Sequence, residues 1–181
     1  MTRVFFFLFI ILAFGLLFLQ GRTMNRNNEK PIFLQVDEIA LNHQTQLKVT
    51  VQSSIIPSEV ELEQFKNDYS NLWAHLNHLY STNDLLSGKE YYTESWFRQL
   101  ANHYDPVIKP TVSRTDQNHD LFIKNWSSDG LVCTAIDSNV VMKYSFPDQT
   151  SKTQKVNLAV VLLFQGDHWR IDAMKVMSEP L

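Results

Sequence analysis

The chain has one cysteine, Cys133, and only five glycines among its 181 residues. A single cysteine excludes a disulfide framework and a cysteine-based metal site, and its alternating apolar neighbours mark it as a small buried hydrophobe. So few glycines disfavour the Gly-rich loops that cradle nucleotide phosphates. Charge of one sign is lacking too: 16 basic and 19 acidic residues leave a net charge of -3. The basic residues are dispersed and do not interleave with aromatics, which argues against a nucleic-acid partner. No nucleophile motif or metal-ligand spacing occurs, so neither a metal nor another cofactor is expected.

What the chain does have begins at its amino terminus. Val4 to Leu19 is an uncharged run of bulky apolar side chains, preceded only by Met1, Thr2 and Arg3. A spanning helix needs about 20 apolar residues and tolerates about 17, whereas the apolar part of a signal peptide is about 7 to 15. The run falls between the two, but Gln20-Gly21-Arg22-Thr23 offers no small-x-small cleavage site. Residues 1–22 are therefore expected to form a signal anchor or transmembrane helix that holds the rest outside the cytoplasm, with a cleaved, secreted form as the alternative.

Residues 23–56 read as a polar linker, Thr23 to Lys30, followed by two alternating runs. Ile32, Leu34, Val36, Ile39 and Leu41 make the first, and Leu47, Val49 and Val51 the second. A hairpin or two extended arms is expected, with His43 solvated in the turn.

A domain over 57–181 follows. Ser58 and Glu61 have the spacing of a capping box. Leu62, Phe65, Tyr69, Leu72, Trp73, Leu76, Leu79 and Tyr80 then trace one helical stripe. His75 borders that stripe while His78 points nearly opposite, so the pair does not make a metal site. A second helix is expected in two pieces, through Leu85-Leu86 and then Lys89 to Tyr104, where Tyr92, Trp96, Phe97, Leu100 and Tyr104 share a face and Asp105-Pro106 ends it. From His119 the chain reads as sheet: one strand to Trp126, one from Leu131 to Ile136, one from Val140 to Phe146 after Asp137-Ser138-Asn139, and a loop from Pro147 to Thr153.

The last two strands, Lys155 to Val176, meet at a Gly166-Asp167 turn. A two-residue loop sets Phe164 against Trp169, Leu162 against Ile171 and Val160 against Ala173 on an apolar face. The opposite face then pairs Gln165 with His168, Leu163 with Arg170 and Val161 with Asp172. Helices followed by long strands make the domain α+β, with the helices on one face of a curved antiparallel sheet.

Two aromatic-rich helices and a closing hairpin that reads LAVVLLFQGDHWRIDAM resemble the nuclear-transport-factor-2-like (NTF2-like) superfamily, Trp169-Arg170-Ile171 matching its turn and Trp-x-Ile pattern. The resemblance runs from Ser58 to Met177 and implies a cone in which a bent sheet wraps a long helix around a pocket. On that fold Tyr92, Trp96, Tyr104 and Trp169 are the candidate ligand-binding residues. An anchor ahead of such a domain, with Glu90 to Phe97, is similar to VirB8-like components of type IV secretion and conjugation machines, while the extra amino-terminal strands depart from the simplest plan.

Acid-base chemistry in such a pocket needs a carboxylate or histidine base and an oxyanion donor. His103, Tyr104, Asp120, Asp137, His168, Arg170 and Asp172 are the polar candidates, and each also suits a helix end, a surface pair or, for Asp137 with Ser138-Asn139, a turn or bulge. No catalytic residue is assigned. The expected function is a membrane-anchored, non-catalytic scaffold or assembly domain that binds a protein partner or its own copy through Val161, Leu163, His168, Arg170 and Asp172. A small-molecule pocket protein, or an enzyme of the cyclase or isomerase kind, is the alternative.

Overall fold

Ser58 opens the long helix α1, Glu59–Thr82, as the sequence predicts. Its hydroxyl accepts from the Glu61 amide at 3.3 Å, and the Glu61 carboxylate accepts from the Ser58 amide at 2.8 Å. This reciprocal cap satisfies two amide donors that a helix start leaves without intrahelical partners. At the other end Asn83 adopts a left-handed conformation, φ 60, and its N–H bonds Leu79 O at 2.8 Å. The structure, a computed structural model, describes residues 38–40, 43, 46–104 and 111–177. The apolar run Val4 to Leu19, the strand expected at Ile32 to Val36 and the helix stop at Asp105-Pro106 lie outside them. Among the described residues no helix is long and apolar enough to cross a membrane.

The described residues build an α+β domain whose curved, open, mixed sheet has six strands: β1 (Gln46–Val51), β2 (Ser113–Asp116), β3 (Asn118–Trp126), β4 (Val132–Ser145), β5 (Ser151–Gln165) and β6 (His168–Met177). The order is β1-β3-β4-β5-β6, with β2 also paired to β4. All pairs are antiparallel except β1 with β3, which run parallel. The sheet is thus mixed, where antiparallel was expected. Residues 38–40 are helical, so Ile39 belongs to no strand.

Three irregularities bend the sheet, and each changes a register. Of the turn or bulge expected at Asp137-Ser138-Asn139, the structure has the bulge, inside a single strand β4, with Asn139 at φ 62. A second bulge at Ile123/Asn125 turns Trp126 inward. In the β5–β6 hairpin, Gly166 takes φ 72, and Phe164 meets Trp169 and Leu162 meets Ile171 as expected. A bulge then intervenes, so Val161 pairs with Ala173 and Val160 with Met174, in place of Asp172 and Ala173. β5 also starts earlier than expected, at Ser151, within the stretch read as a loop.

α1 lies against the inner sheet face. Phe65 sits edge-on to Trp169 at 5.3 Å and to Trp126 at 5.6 Å, and Leu121, Ile123, Leu158, Leu162 and Ile171 close the core. The second helix is shorter than expected because Tyr92 and Thr93 are claimed by the sheet. A 3-10 turn, Leu86–Tyr91, leads into an extended Tyr92 that bridges Ile171, and the Thr93 amide bonds Ile171 O at 3.0 Å. Thr93 then caps α2, Glu94–Ala101, accepting from the Trp96 amide, and its hydroxyl donates to Asp172 Oδ1 at 2.8 Å. The bulge at Asp172 is what lets that carboxylate reach the cap.

Gly88 packs against the Tyr92 ring: a Cβ there would come within 2.5 Å of the Tyr92 hydroxyl, which is itself buried without a partner. Gly88→Ala is expected to lower unfolding free energy by roughly 1–3 kcal/mol through overpacking. Tyr92→Phe removes an unsatisfied hydroxyl, so it should be neutral or stabilising and should recover part of that loss in the double variant. Urea unfolding of the three variants measures both, and a Gly88→Ala protein as stable as the parent would contradict the packing described.

Candidate functional site

β2 and β3 run in series along β4, with the Gln117 amide between them bonded to Val141 O at 3.0 Å. That step puts both Asp116 and His119 on the inner face, where Asp137 arrives from the β4 bulge and Tyr69 and Asn77 from α1. His119 Nδ1–H donates to Asp137 Oδ2 at 2.6 Å and its Nε2–H to Asp116 Oδ2 at 2.9 Å. Ionised carboxylates only accept, so an imidazole between two of them is held in its doubly protonated, cationic form. Tyr69 O–H donates to the same Asp137 oxygen at 2.6 Å, and Asn77 Nδ2 donates to Asp116 Oδ1. Arg114 continues the chain through Nε to Asn77 Oδ1 at 2.9 Å, its guanidinium lying 4.9 Å from the Tyr80 ring.

Burial pushes the His119 pKa down, but the hydrogen bonds and charges of Asp116 and Asp137 reverse this and hold it up at about 9. Burial pushes the Asp116 carboxyl up, and its bonds to His119 and His43 overcome that, holding it well below the usual range. Burial first, and then Asp137, drive the Tyr69 phenol well above its ordinary value. His43, expected to be a solvated loop residue, is half-buried, with Nε2 3.2 Å from Asp116 Oδ1.

The group has acid-base residues but no access. His119 is 1% exposed, Tyr69 and Asp137 0% and Asp116 6%. Both His119 nitrogens are occupied and the ring is already charged, so it neither takes a proton from a substrate nor has a free N–H to give one. The arrangement ties α1, β2, β3 and β4 together. Its one open valence is Asp137 Oδ1, buried without a partner.

The residues expected to line a pocket are dispersed. Tyr92 and Trp169 are core side chains, each 2% exposed. Tyr104 is half-buried beyond α2, its phenol raised by burial, and Trp96 is half-buried on the sheet's other side. Of the expected interaction face, Val161, Leu163 and Arg170 stand together on the outer face of the sheet, half-exposed. Asp172 is committed to Thr93, and His168 lies between Asp68 at 3.3 Å and Glu90 at 3.8 Å, next to the Tyr91 ring. His103 is exposed just past α2, and Asp120 accepts from Asn139 Nδ2 at 2.7 Å. His75 is enclosed and does not merely border the stripe; it stacks on Tyr91 at 5.0 Å, and burial lowers its pKa to about 4. Cys133 is buried, its thiol pushed up to about 12. Among the described residues no three or more His, Cys, Asp or Glu side chains are placed to hold a metal ion.

A groove of about 430 Å³ crosses the outer face, with Ile136, Ala159 and Val161 on its floor, Trp96 on one wall, and Lys124 and Lys175 among its lining. A second hollow of about 390 Å³ lies where β1 meets β3, lined by Lys48, His119, Asp120 and Asn139 among others, although the His119 side chain itself is 0% exposed. Asp116 and His119 escaped the sequence reading, although a signal existed. His119 shares the parity of Leu121 and Ile123, and Asp137 that of Cys133 and Ala135, so each is a polar residue on an apolar face. Comparison of the chain with protein families, curated proteins and solved structures finds no match.

Because the folded His119 pKa of about 9 lies above the unfolded value of about 6.5, its contribution is complete below about pH 6.5. It is lost as pH rises through 9, on the order of 3 kcal/mol. Thermal unfolding of the full chain should therefore show a falling Tm between about pH 6.5 and 9. Asp137→Asn, which removes one of the two carboxylates, should move that fall to lower pH; a Tm flat over this range in the parent would contradict a charged His119.

Proposed function

We propose that the chain is a membrane-anchored, non-catalytic assembly domain of the NTF2-like cone type that docks through the outer face of its sheet. In this reading Val4 to Leu19 is the anchor, the domain lies outside the cytoplasm, and the layout is that of VirB8-like secretion or conjugation components. The observation that carries the non-catalytic part is the closed interior. Trp73 is fully buried, and the Asp116-His119-Asp137 arrangement is sealed. An isomerase or dehydratase needs a base that its substrate can touch. What is left open is the outer face, where Ile136, Ala159, Val161 and Leu163 form a half-exposed apolar strip.

A photo-crosslinking residue placed at the position of Val161 or Leu163 in the full chain, in its native membrane, should give a discrete adduct with a partner or with a second copy. The same residue at Val60, 78% exposed on α1 away from the face, should give none. Adducts from Val60 as abundant as those from Val161, or none from Val161, would contradict docking through this face.

A further inference from the structure

We infer that the outer face of the sheet receives an acidic, apolar segment of a partner polypeptide and not a second copy of this chain. The inference rests on the docking reading above and names its occupant. The face carries Lys48, Lys124, Lys143, Lys155, Arg170 and Lys175, by the parity and registers of β1, β3, β4, β5 and β6. None of these forms an ion pair among the described residues. Lys124 reaches only Gln52 Oε1 at 2.6 Å and the Phe122 ring at 5.7 Å, and the Arg170 Nε is buried without an acceptor.

The carboxylates of the same face are already engaged. Asp120 accepts from Asn139 and Asp172 from Thr93, and neither lies within ion-pair distance of a lysine or arginine. In a chain whose net charge is -3, this is a segregation of unpaired cations onto one surface. A two-fold association through that surface would set the cations against each other, because an isologous contact brings the same patch from both copies together. Like charges facing one another oppose association, while a partner of opposite sign is steered in.

The floor decides among anionic partners. It is aliphatic, built of Ile136, Ala159 and Val161, and it is concave. Single-stranded nucleic acid needs a row of aromatic platforms, and here the floor is aliphatic, with Trp96 the one aromatic side chain in the groove's lining. A bilayer presents a broad surface that a side-chain-sized groove does not match. An extended or helical segment that alternates aliphatic and acidic residues fills the groove and meets Lys124 and Lys175 in its lining. Exposed ion pairs are individually weak, so apolar contact supplies the affinity and the charges supply orientation and sign.

Selection of a random-peptide library on the immobilised full chain in mild detergent tests this. The expected result is a consensus with Asp or Glu flanking Leu, Ile, Val or Phe. Synthetic peptides of that consensus should bind at least tenfold more weakly to the Lys124→Glu/Lys175→Glu variant and to Val161→Glu, and more weakly at high salt, while the parent remains monomeric by mass measurement. A consensus without acidic residues, or peptides that bind both variants like the parent, would overturn the inference. So would tighter binding to phosphatidylserine vesicles or to a single-stranded oligonucleotide. A parent dimer that Val161→Glu dissociates would overturn it in favour of a second copy while leaving docking through this face intact. No selected peptide together with no crosslink from Val161 would remove both readings.

Discussion

A cationic imidazole held between two carboxylates is the constraint on which the rest of this domain depends. His119 joins Asp116 at the end of β2 to Asp137 in the β4 bulge, while Tyr69 and Asn77 fix α1 to the same two acids. Desolvating these charges costs several kcal/mol per ion, and only good geometry and complete hydrogen bonding offset it. Here the geometry is close to ideal for His119, with Arg114 adding a second positive charge through Asn77. The network is less a source of net stability than a register lock. Sliding β2, β3 or α1 by one residue would leave a carboxylate buried and unpaired, which is far worse than leaving an apolar pair mismatched.

The network also explains the curvature. Asp137 reaches His119 from just before the Asn139 bulge, and Asn139 in turn bonds Asp120 through its side chain and Asn157 through its amide. The bend is therefore held from both faces of the sheet. At the far edge Asp172 does a similar job, its bulge delivering a carboxylate to Thr93 and so fixing where α2 begins and where Trp96 stands. Polar residues hold the frame, and the outer face is left with aliphatic residues and unpaired cations.

Local signals were legible in the sequence and long-range ones were not. The Ser58 and Glu61 cap, the α1 stripe and the Gly166 turn are written within a few residues and survive folding unchanged. The Asp172 bulge is not, because it exists only through Thr93, 79 residues away in sequence. The same contact shortened α2: Tyr92 and Thr93 carry a helical pattern, but their backbones serve the sheet edge at Ile171. The partner of β1 was not legible, and a hairpin or two extended arms both fitted, because alternation records burial and not partner, and its parallel partner β3 lies beyond both helices. His119 could have been found by parity alone. It was overlooked, and Asp137 was named only singly, because a buried charge makes sense only once its counter-charge on another strand is known.

The central claim is that the buried Asp116-His119-Asp137 arrangement is a closed structural lock. Nitrogen-15 NMR of the His119 ring in the intact chain at pH 7 tests this most directly. A lock predicts both ring N–H protons visible, with imidazolium shifts and slow exchange with water. A neutral ring with one bare nitrogen, or N–H protons that exchange within milliseconds, would mean that solvent and substrates reach His119 and would contradict the account.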